Sequence, residues 1–333
     1  MAAQAATQTW WERFIQQALE HISKLVLGGR LRDHADGERY VTGRMHRTHV
    51  EVLVALSLFA FAIYSAPALG QAPARPQRIV SLNLCTDQIL VDLVARERIA
   101  ALSFLAADRQ VSAVAGRVAG IRTLRGETEE VLALDADLVV SAAYSTPATL
   151  ALLRQLGRHV VMAPLASTFE DIRSAIRVLA EAVGEPGRGA AMIADFDTRL
   201  AALSARDDRR PTAVALQIGS LVSSSGSLVD EAMRWVGLDN DASRRRLGRG
   251  GRLPLEALIA APPDLIILAN DPAEFRTASA DNLRHPALAA LLAKQPHLTL
   301  PLPTWLCGSP SILTAVERLA KARSELVALR ARR

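Results

Sequence analysis

The chain has 333 residues, of which half are hydrophobic, 22% are charged and 4% are aromatic. This composition is typical of a packed globular protein of about two domains, and it excludes a disordered, collagen-like or coiled-coil chain. The formal net charge is +5, but the basic residues are nearly all arginine and are spread along the whole sequence. Since no basic stripe with interleaved aromatic residues is present, we expect no nucleic-acid partner.

An export signal is the first feature that the sequence predicts. A short basic segment begins at Met45, an apolar run follows at 52–64, and small residues and proline occupy 65–70. This order is typical of a cleaved secretory signal peptide, whereas a permanent transmembrane helix needs about 20 apolar residues. We predict a signal peptide over 45–70 and a non-native upstream extension over 1–44. The alternative is a genuine cytoplasmic extension followed by a signal anchor.

Strands alternate with helices in the first half of the remaining chain. Apolar or β-branched runs predict strands at 78–84, 99–102, 137–141 and 159–162, and capped or amphipathic runs predict helices at 87–95, 127–134 and 147–156. Strands that are apolar on both faces and alternate with helices indicate a parallel sheet covered on each side.

Two helical stretches follow, at 169–183 and 187–205, and the α/β alternation then restarts. Strands are predicted at 212–218, 264–268 and 297–300, and helices at 228–236, 255–260, 281–292 and 311–329. The predicted fold class is α/β, with two Rossmann-like lobes that have central parallel sheets and are joined by one long bridging helix. The predicted boundaries are 76–167 for the N-terminal lobe, 168–210 for the helical bridge and 211–330 for the C-terminal lobe.

A sequence repeat supports the prediction of two similar lobes. Residues 129–140 read as a glutamate, an apolar helical turn and then Asp-Leu at the opening of a buried strand, and residues 256–267 have the same order.

The two cysteines, Cys85 and Cys307, fall in different predicted lobes. In an oxidising compartment such a pair favours a disulfide, which here would join the two halves. Two separately buried thiols are the alternative. The three histidines of the predicted mature chain are isolated in sequence, so we expect no transition-metal site, which needs three or four clustered ligands.

Candidate ligand-binding residues follow from the predicted sheets, because the ligand site of an open α/β sheet lies at the carboxyl ends of its strands. The residues that this rule selects are Asn83, Cys85, Thr86, Phe104, Tyr144, Ser223, Ser224, Ser225, Trp305 and Cys307. No nucleophile elbow, zinc-protease motif, Walker A loop or dinucleotide-binding fingerprint is present. We therefore predict no enzyme and no catalytic residues.

The order and spacing of these segments resemble the periplasmic substrate-binding proteins whose lobes are bridged by a single helix. That family serves ABC-type importers of cobalamin, ferric siderophores and haem. Residues 78–82 resemble its opening strand, 129–140 and 256–267 its repeated signature, and 305–310 the segment entering its last helix. The resemblance covers about residues 76–330. It implies a periplasmic monomer without a cofactor, which binds a small metal chelate as cargo and delivers it to a permease dimer.

The resemblance also implies roles for single residues. Glu129 and Glu256 match the two glutamates that dock on the permease subunits; the alternative is that both are first-turn carboxylates stabilising a helix dipole. Trp305 matches an aromatic residue that cobalamin binders stack on their ligand; the alternative is a core tryptophan. Cobalamin binders have further tryptophans at two places where this sequence has an alanine pair (142–143) and a glycine pair (250–251). This difference is an argument against a corrinoid as the cargo.

An arginine-rich loop is a further candidate. Arg244, Arg245 and Arg246 open a run of five arginines over 244–252. The family resemblance places this loop at the cleft, and arginine forks suit the carboxylate or catecholate oxygens of an anionic ferric chelate. The alternative is a solvated surface loop.

Three functions remain open. The first is a receptor for a ferric siderophore or a cobalamin-like chelate. The second is a haem-binding carrier that uses Cys85 or Cys307 as an axial thiolate ligand. The third is an oxidoreductase or cofactor-assembly protein of related two-lobed fold, with cysteine ligands to a metal cluster.

Overall fold

The structure is a computed structural model that describes residues 75–248, 251–268 and 278–332. All of these residues belong to one compact unit, Gln71–Arg333. The predicted extension and signal peptide, 1–70, lie outside the described residues. Among the helices described, none combines the length and the hydrophobicity needed to cross a bilayer.

The N-terminal lobe is built on a five-stranded sheet of order β3-β2-β1-β4-β5, in which every pairing is parallel. Its strands are β1 (Ile79–Ser81), β2 (Ile99–Ser103), β3 (Thr123–Leu124), β4 (Leu138–Ala142) and β5 (Val160–Ala163). Its helices are α1 (Leu84–Leu93), α2 (Thr128–Leu132) and α3 (Pro147–Gln155). The central strands β1 and β4 are buried along their whole length, as expected for a sheet covered on both faces.

Two helices connect this lobe to the next. α4 (Phe169–Ala182) packs on β5 and α1, and α5 (Pro186–Ala202) packs on α4 and leads into the C-terminal lobe. A capping box begins α4, since Thr168 and Asp171 exchange side-chain-to-backbone hydrogen bonds. Between the helices Gly184 has a φ of 71°, a conformation that glycine adopts at no steric cost. The predicted single bridging helix corresponds to α5.

The C-terminal lobe repeats the topology with four parallel strands in the order β7-β6-β8-β9. The strands are β6 (Thr212–Leu216), β7 (Asp239–Asn240), β8 (Leu265–Leu268) and β9 (His297–Thr299). The helices are α6 (Leu228–Trp235), α7 (Asp241–Arg244), α8 (Leu255–Ala260), α9 (Pro286–Leu292) and α10 (Leu313–Ala331). The prediction of two α/β lobes with parallel sheets is confirmed.

The repeated Asp-Leu motif has a structural cause. The carboxylate of Asp137, just before β4, accepts the backbone N–H groups of Gln77 and Arg78 at 2.6 and 3.0 Å. In the other lobe the carboxylate of Asp264, just before β8, accepts the N–H of Thr212 at 2.8 Å. Each aspartate thus satisfies donors at the start of the neighbouring central strand, and both lobes use the same connection.

One hydrophobic core extends through both lobes. The largest cluster of buried apolar side chains contains Ile79 of the first sheet and Ala213 of the second. Phe169, at the start of α4, lies edge-to-face against Phe196 and Trp235, with ring centroids 6.0 and 5.6 Å apart. Such pairs add to the stabilisation from burial alone. The lobes therefore share a packed core, although their sheets are separate.

Three differences from the predicted elements have local causes. α1 begins at Leu84 rather than at 87, because the Asn83 side chain caps it by accepting the Cys85 N–H at 2.9 Å. The helix predicted at 281–292 is wrong as one element: a 3₁₀ helix, Ala278–Arg284, precedes α9, which begins at a proline. β3 and β7 have two residues each, too few to show a periodic pattern.

Candidate ligand cleft

A cavity of about 470 Å³ lies at the carboxyl ends of the strands of the N-terminal lobe. Residues 82–86, 103–105 and 142–146 form much of its wall, and further parts come from residues 124–126, 163–166 and 306–308, the last of which precede α10. Its volume falls in the range of small-molecule sites, about 300–1,000 Å³. Most of its lining residues are apolar.

A second hollow, of about 300 Å³, continues this cavity toward the C-terminal lobe. The two share Tyr144, Leu165 and Ala166, and the far wall of the second hollow is formed by residues of β6–α6, including Ser223 and Ser224. Together they form a cleft between the lobes, as the strand-end rule predicts.

The predicted residues Cys85, Thr86, Phe104, Tyr144 and Cys307 all line the larger cavity. Ser223 lines the smaller hollow, where its hydroxyl accepts a hydrogen bond from the Gln217 side chain at 2.9 Å. Asn83 also lines the larger cavity and Ser224 the smaller hollow, so the structure brings eight of the predicted residues to one cleft.

Cys85 and Cys307 form a disulfide, with their Cα atoms 5.1 Å apart. Cys85 lies in the first turn of α1, and the buried Cys307 lies in the segment before α10. The bond links the two lobes, so the alternative of two separate thiols is wrong. A haem thiolate ligand or a cysteine-ligated cluster is wrong for the same reason, because neither sulfur is a free thiolate. Within the described chain, no group of three or more His, Cys, Asp or Glu side chains could hold a metal ion.

Five other predicted residues lie outside the two hollows, and one of them, Ser225, lines a separate surface hollow. Trp305 is 9% exposed and packs in the shared core, which matches the core alternative. Arg244 lines a separate surface hollow, and Arg245 donates to the Asp241 carboxylate and to a backbone carbonyl at the end of α8. Arg246 is exposed.

Arg125 is not among the residues predicted from the sequence, yet it is the one charged residue among those lining the larger cavity. It follows β3, whose two residues give no sequence signal for a strand end. The carboxylate of Glu130 accepts the backbone N–H groups of Arg125 and Gly126 at 2.9 and 3.1 Å and so holds this loop. The Arg125 guanidinium has no ion-pair or hydrogen-bond partner among the described residues, which leaves it available to a ligand.

Tyr144 is 90% exposed at the junction of the two hollows and has a φ of 71°. This left-handed conformation is unfavourable for a tyrosine, and such strain concentrates at functional sites. The loop is held because the Asn83 side-chain amide donates to the Ala143 carbonyl at 3.1 Å. Phe104, 54% exposed, and Leu165 and Leu306, both partly exposed, complete an apolar rim.

A buried carboxyl group lies behind the cleft wall. Asp87, on α1, is fully buried and accepts hydrogen bonds from the N–H and the hydroxyl of Ser103 at the end of β2. Burial raises the pKa of Asp87 to about 7, although hydrogen bonds from Ser103 and Ser81 oppose the shift. Asp87 thus anchors α1 to the strand end that leads to Phe104.

The two predicted docking residues occupy equivalent positions. Glu129 is the second residue of α2 and Glu256 the second residue of α8, and each helix precedes a central strand of its lobe. In α2 the capping box uses Glu127 and Glu130, so Glu129 takes no part in it. Both Glu129 and Glu256 are exposed, and within the described residues neither has an ion-pair partner.

The sequence matches the family model described as periplasmic binding protein over residues 79–295, more than half of the chain. The chain therefore belongs to this family of periplasmic binding proteins, which are substrate-binding transport proteins. None of the curated proteins searched matches the sequence.

Solved structures share the two-lobed fold. The periplasmic haem-binding protein RhuT from Roseiflexus sp. RS-1 is 21% identical, with a TM-score of 0.60 over 74% of this chain and 98% of that chain. The periplasmic vitamin B12-binding protein BtuF of Vibrio cholerae is 20% identical, with a TM-score of 0.59 over 76% of this chain and 98% of that chain. An ABC-type Fe³⁺-hydroxamate transport system protein from Saccharomonospora viridis DSM 43017 is 19% identical, with a TM-score of 0.57 over 74% and 93%.

Proposed function

We propose that this protein is the periplasmic substrate-binding component of an ABC-type importer, which captures a metal chelate in the interlobe cleft and delivers it to the permease. The observation that carries this proposal is the larger cavity itself. It presents one unpartnered arginine and one exposed, strained tyrosine on an otherwise mostly apolar wall. This arrangement suits binding of a small molecule.

The wall chemistry indicates a cargo with an apolar body and an anionic edge. The Arg125 guanidinium can bind carboxylate, hydroxamate or catecholate oxygens through two parallel hydrogen bonds. Arg125 thus takes the role that the sequence suggested for Arg244, Arg245 and Arg246. A ferric siderophore fits this chemistry better than a corrinoid, because Trp305 packs in the core and the cleft position 142–143 carries alanines.

Haem is the second candidate cargo, and Tyr144 is the observation that favours it. A tyrosine phenolate is a known ligand of haem iron, and the exposed Tyr144 ring stands beside the apolar rim of Phe104 and Leu165. Arg125 would then pair with a haem carboxylate. At least three solved structures with the same fold, RhuT among them, are named as haem-binding proteins.

Titration of tryptophan fluorescence tests the proposal. Ferric trihydroxamate, ferric tricatecholate, haemin and cyanocobalamin are added in turn to the purified protein, and thermal stabilisation is measured in parallel. We expect saturable binding of one anionic ferric chelate or of haemin. In Arg125→Ala we expect the affinity for this ligand to be about 10- to 100-fold weaker, because charge-assisted hydrogen bonds are lost. Arg244→Ala, the same change outside the cleft, leaves the affinity unchanged. No response to any of the four ligands would refute a chelate-binding function.

A further inference from the structure

We infer that the Cys85–Cys307 disulfide positions the part of the cargo cavity that comes from the C-terminal lobe. This part consists of Leu306, Cys307 and Gly308 and is called here the crosslinked wall. The effect on cargo binding rests on the proposed function, whereas the effect on the wall itself does not.

The crosslinked wall and the serines that follow it are attached to α1 at two points, one turn apart. The first is the disulfide to Cys85. The second is Gln88, whose side-chain oxygen accepts hydrogen bonds from the hydroxyls of Ser309 and Ser311 at 2.6 and 3.1 Å. Residues three apart on a helix lie on the same face, so both attachments hold one side of α1 against the segment before α10.

The polar attachment through Gln88 leaves one buried hydrogen-bond donor unpaired. The side-chain nitrogen of Gln88 is buried and has no hydrogen-bond partner among the described residues. A buried donor left unpaired costs free energy, which offsets part of the gain from the two serine hydroxyls. The disulfide is therefore the attachment on which the position of the wall depends.

The opposite side of the wall is closely packed. A Cβ atom added to Gly308 would lie 2.0 Å from the Cβ of Ala166, so the backbone of the wall contacts the segment leading into α4. Ala166 also lines both hollows. Any outward movement of the wall therefore changes the width of the cavity at the point where both lobes contribute to it.

The disulfide consequently preorganises the cleft. When the cavity already has the width needed for binding, no free energy is lost in ordering the cavity wall as the cargo binds. The affinity for the cargo is therefore higher. Reduction by a dithiol transfers two electrons and two protons to the sulfurs, which become two thiols, while the reductant forms its own disulfide. The oxidised protein is the form with the fixed wall, and the reduced protein is the form with the mobile one.

Hydrogen exchange followed by mass spectrometry tests this inference without a ligand. The Cys85→Ser/Cys307→Ser double variant is compared with the wild type, and the folded wild type treated with dithiothreitol gives the same comparison without a variant. We expect backbone amides of residues 305–309 to exchange at least about 10-fold faster once the bond is absent, because local opening becomes easier. Amides of β1 and β8 keep their wild-type rates.

Cargo affinity is then measured for whichever ferric chelate or haemin binds the wild type. We expect binding about 5- to 10-fold weaker in the double variant, from the lost preorganisation. The matched control is Leu258→Ala, which creates a cavity in the separate small core of the C-terminal lobe. This control lowers the melting temperature but keeps both the exchange of 305–309 and the affinity at wild-type values, so a general loss of stability is distinguished from loss of the wall.

Unchanged exchange of 305–309 after removal of the bond would overturn the inference. Faster exchange of 305–309 with unchanged cargo affinity would also overturn it, because the disulfide would then hold the wall but the wall would not position the cargo. If no ligand binds even the oxidised wild type, the proposed function fails, and the exchange data alone still decide whether the disulfide holds the wall.

Discussion

Asp87 shows how a single buried group shapes the cleft. Its carboxyl joins α1, which carries Cys85, to the end of β2, which is followed directly by Phe104. Because the group lies in the core without a cationic partner among its hydrogen bonds, the neutral form is favoured, and the pKa rises from 3.8 to about 7. The attachment of α1 to β2 and the protonation state of Asp87 are therefore linked.

The stability of the protein should depend on pH through Asp87. The folded protein keeps a proton that the unfolded chain loses, so the stabilising contribution is complete below pH 3.8 and is lost as the pH rises through about 7. We expect Asp87→Asn to remove this dependence. Relative to the wild type, the free energy of unfolding of the variant should rise by roughly 4 kcal/mol between pH 4 and pH 8.

Urea unfolding at pH 4, 6 and 8 measures this difference. Parallel curves for Asp87→Asn and the wild type would contradict the assignment of a raised pKa to Asp87.

At the scale of elements, local sequence patterns predicted the alternation of strands and helices, the two lobes and the strand-end location of the cleft. They failed where the decisive contact is distant in sequence. β3 forms only by pairing with β2, so neither the strand nor Arg125 at its end could be recognised. Trp305 was placed at the cleft by the strand-end rule and by motif position, and Arg244 by motif position, but Trp305 packs in the shared core and Arg244 lines a separate hollow.

The aspartate that precedes each central strand gives a prediction about elements. Asp137→Ala leaves the N–H groups of Gln77 and Arg78 without their acceptor at the start of β1. We expect a loss of about 1.5–3 kcal/mol in the free energy of unfolding, the usual contribution of hydrogen bonds to a charged group. Denaturant unfolding measures it. Asp195→Ala, which removes an exposed carboxylate from α5, should cost less than about 1 kcal/mol; equal losses in the two variants would show that Asp137 does not hold β1.

At the scale of the whole molecule, the shared core and the disulfide make the two lobes one body. The core cluster that includes Ile79 and Ala213 continues through the bridge. The carboxylate of Glu231, on α6, also accepts the Phe169 N–H at 2.7 Å across the junction. Glu129 and Glu256 thus lie on two lobes that share one core, and we propose that this arrangement suits docking to a partner with two equivalent subunits.

Charge reversal at these two positions tests the proposed docking. In Glu129→Arg/Glu256→Arg, we expect cargo uptake through the importer to fall at least about 10-fold, because two charge-assisted pairs to the permease become repulsive. Cargo affinity in solution should not change, since neither residue lines the cleft. The control, Glu325→Arg, alters an exposed glutamate of α10 and should leave uptake intact. A loss of affinity in the double variant would show that these residues support the cleft instead.

The disulfide joins two cysteines that are 222 positions apart, so it closes residues 85–307 into a covalent ring. A single cut by a protease anywhere between residues 85 and 307 opens this ring but releases no fragment. Such a nicked molecule stays in one piece until the sulfur–sulfur bond is broken, and it separates into two bands only on a reducing gel. Retention of both fragments after a single backbone cut is thus a direct result of where the two sulfurs lie in the chain.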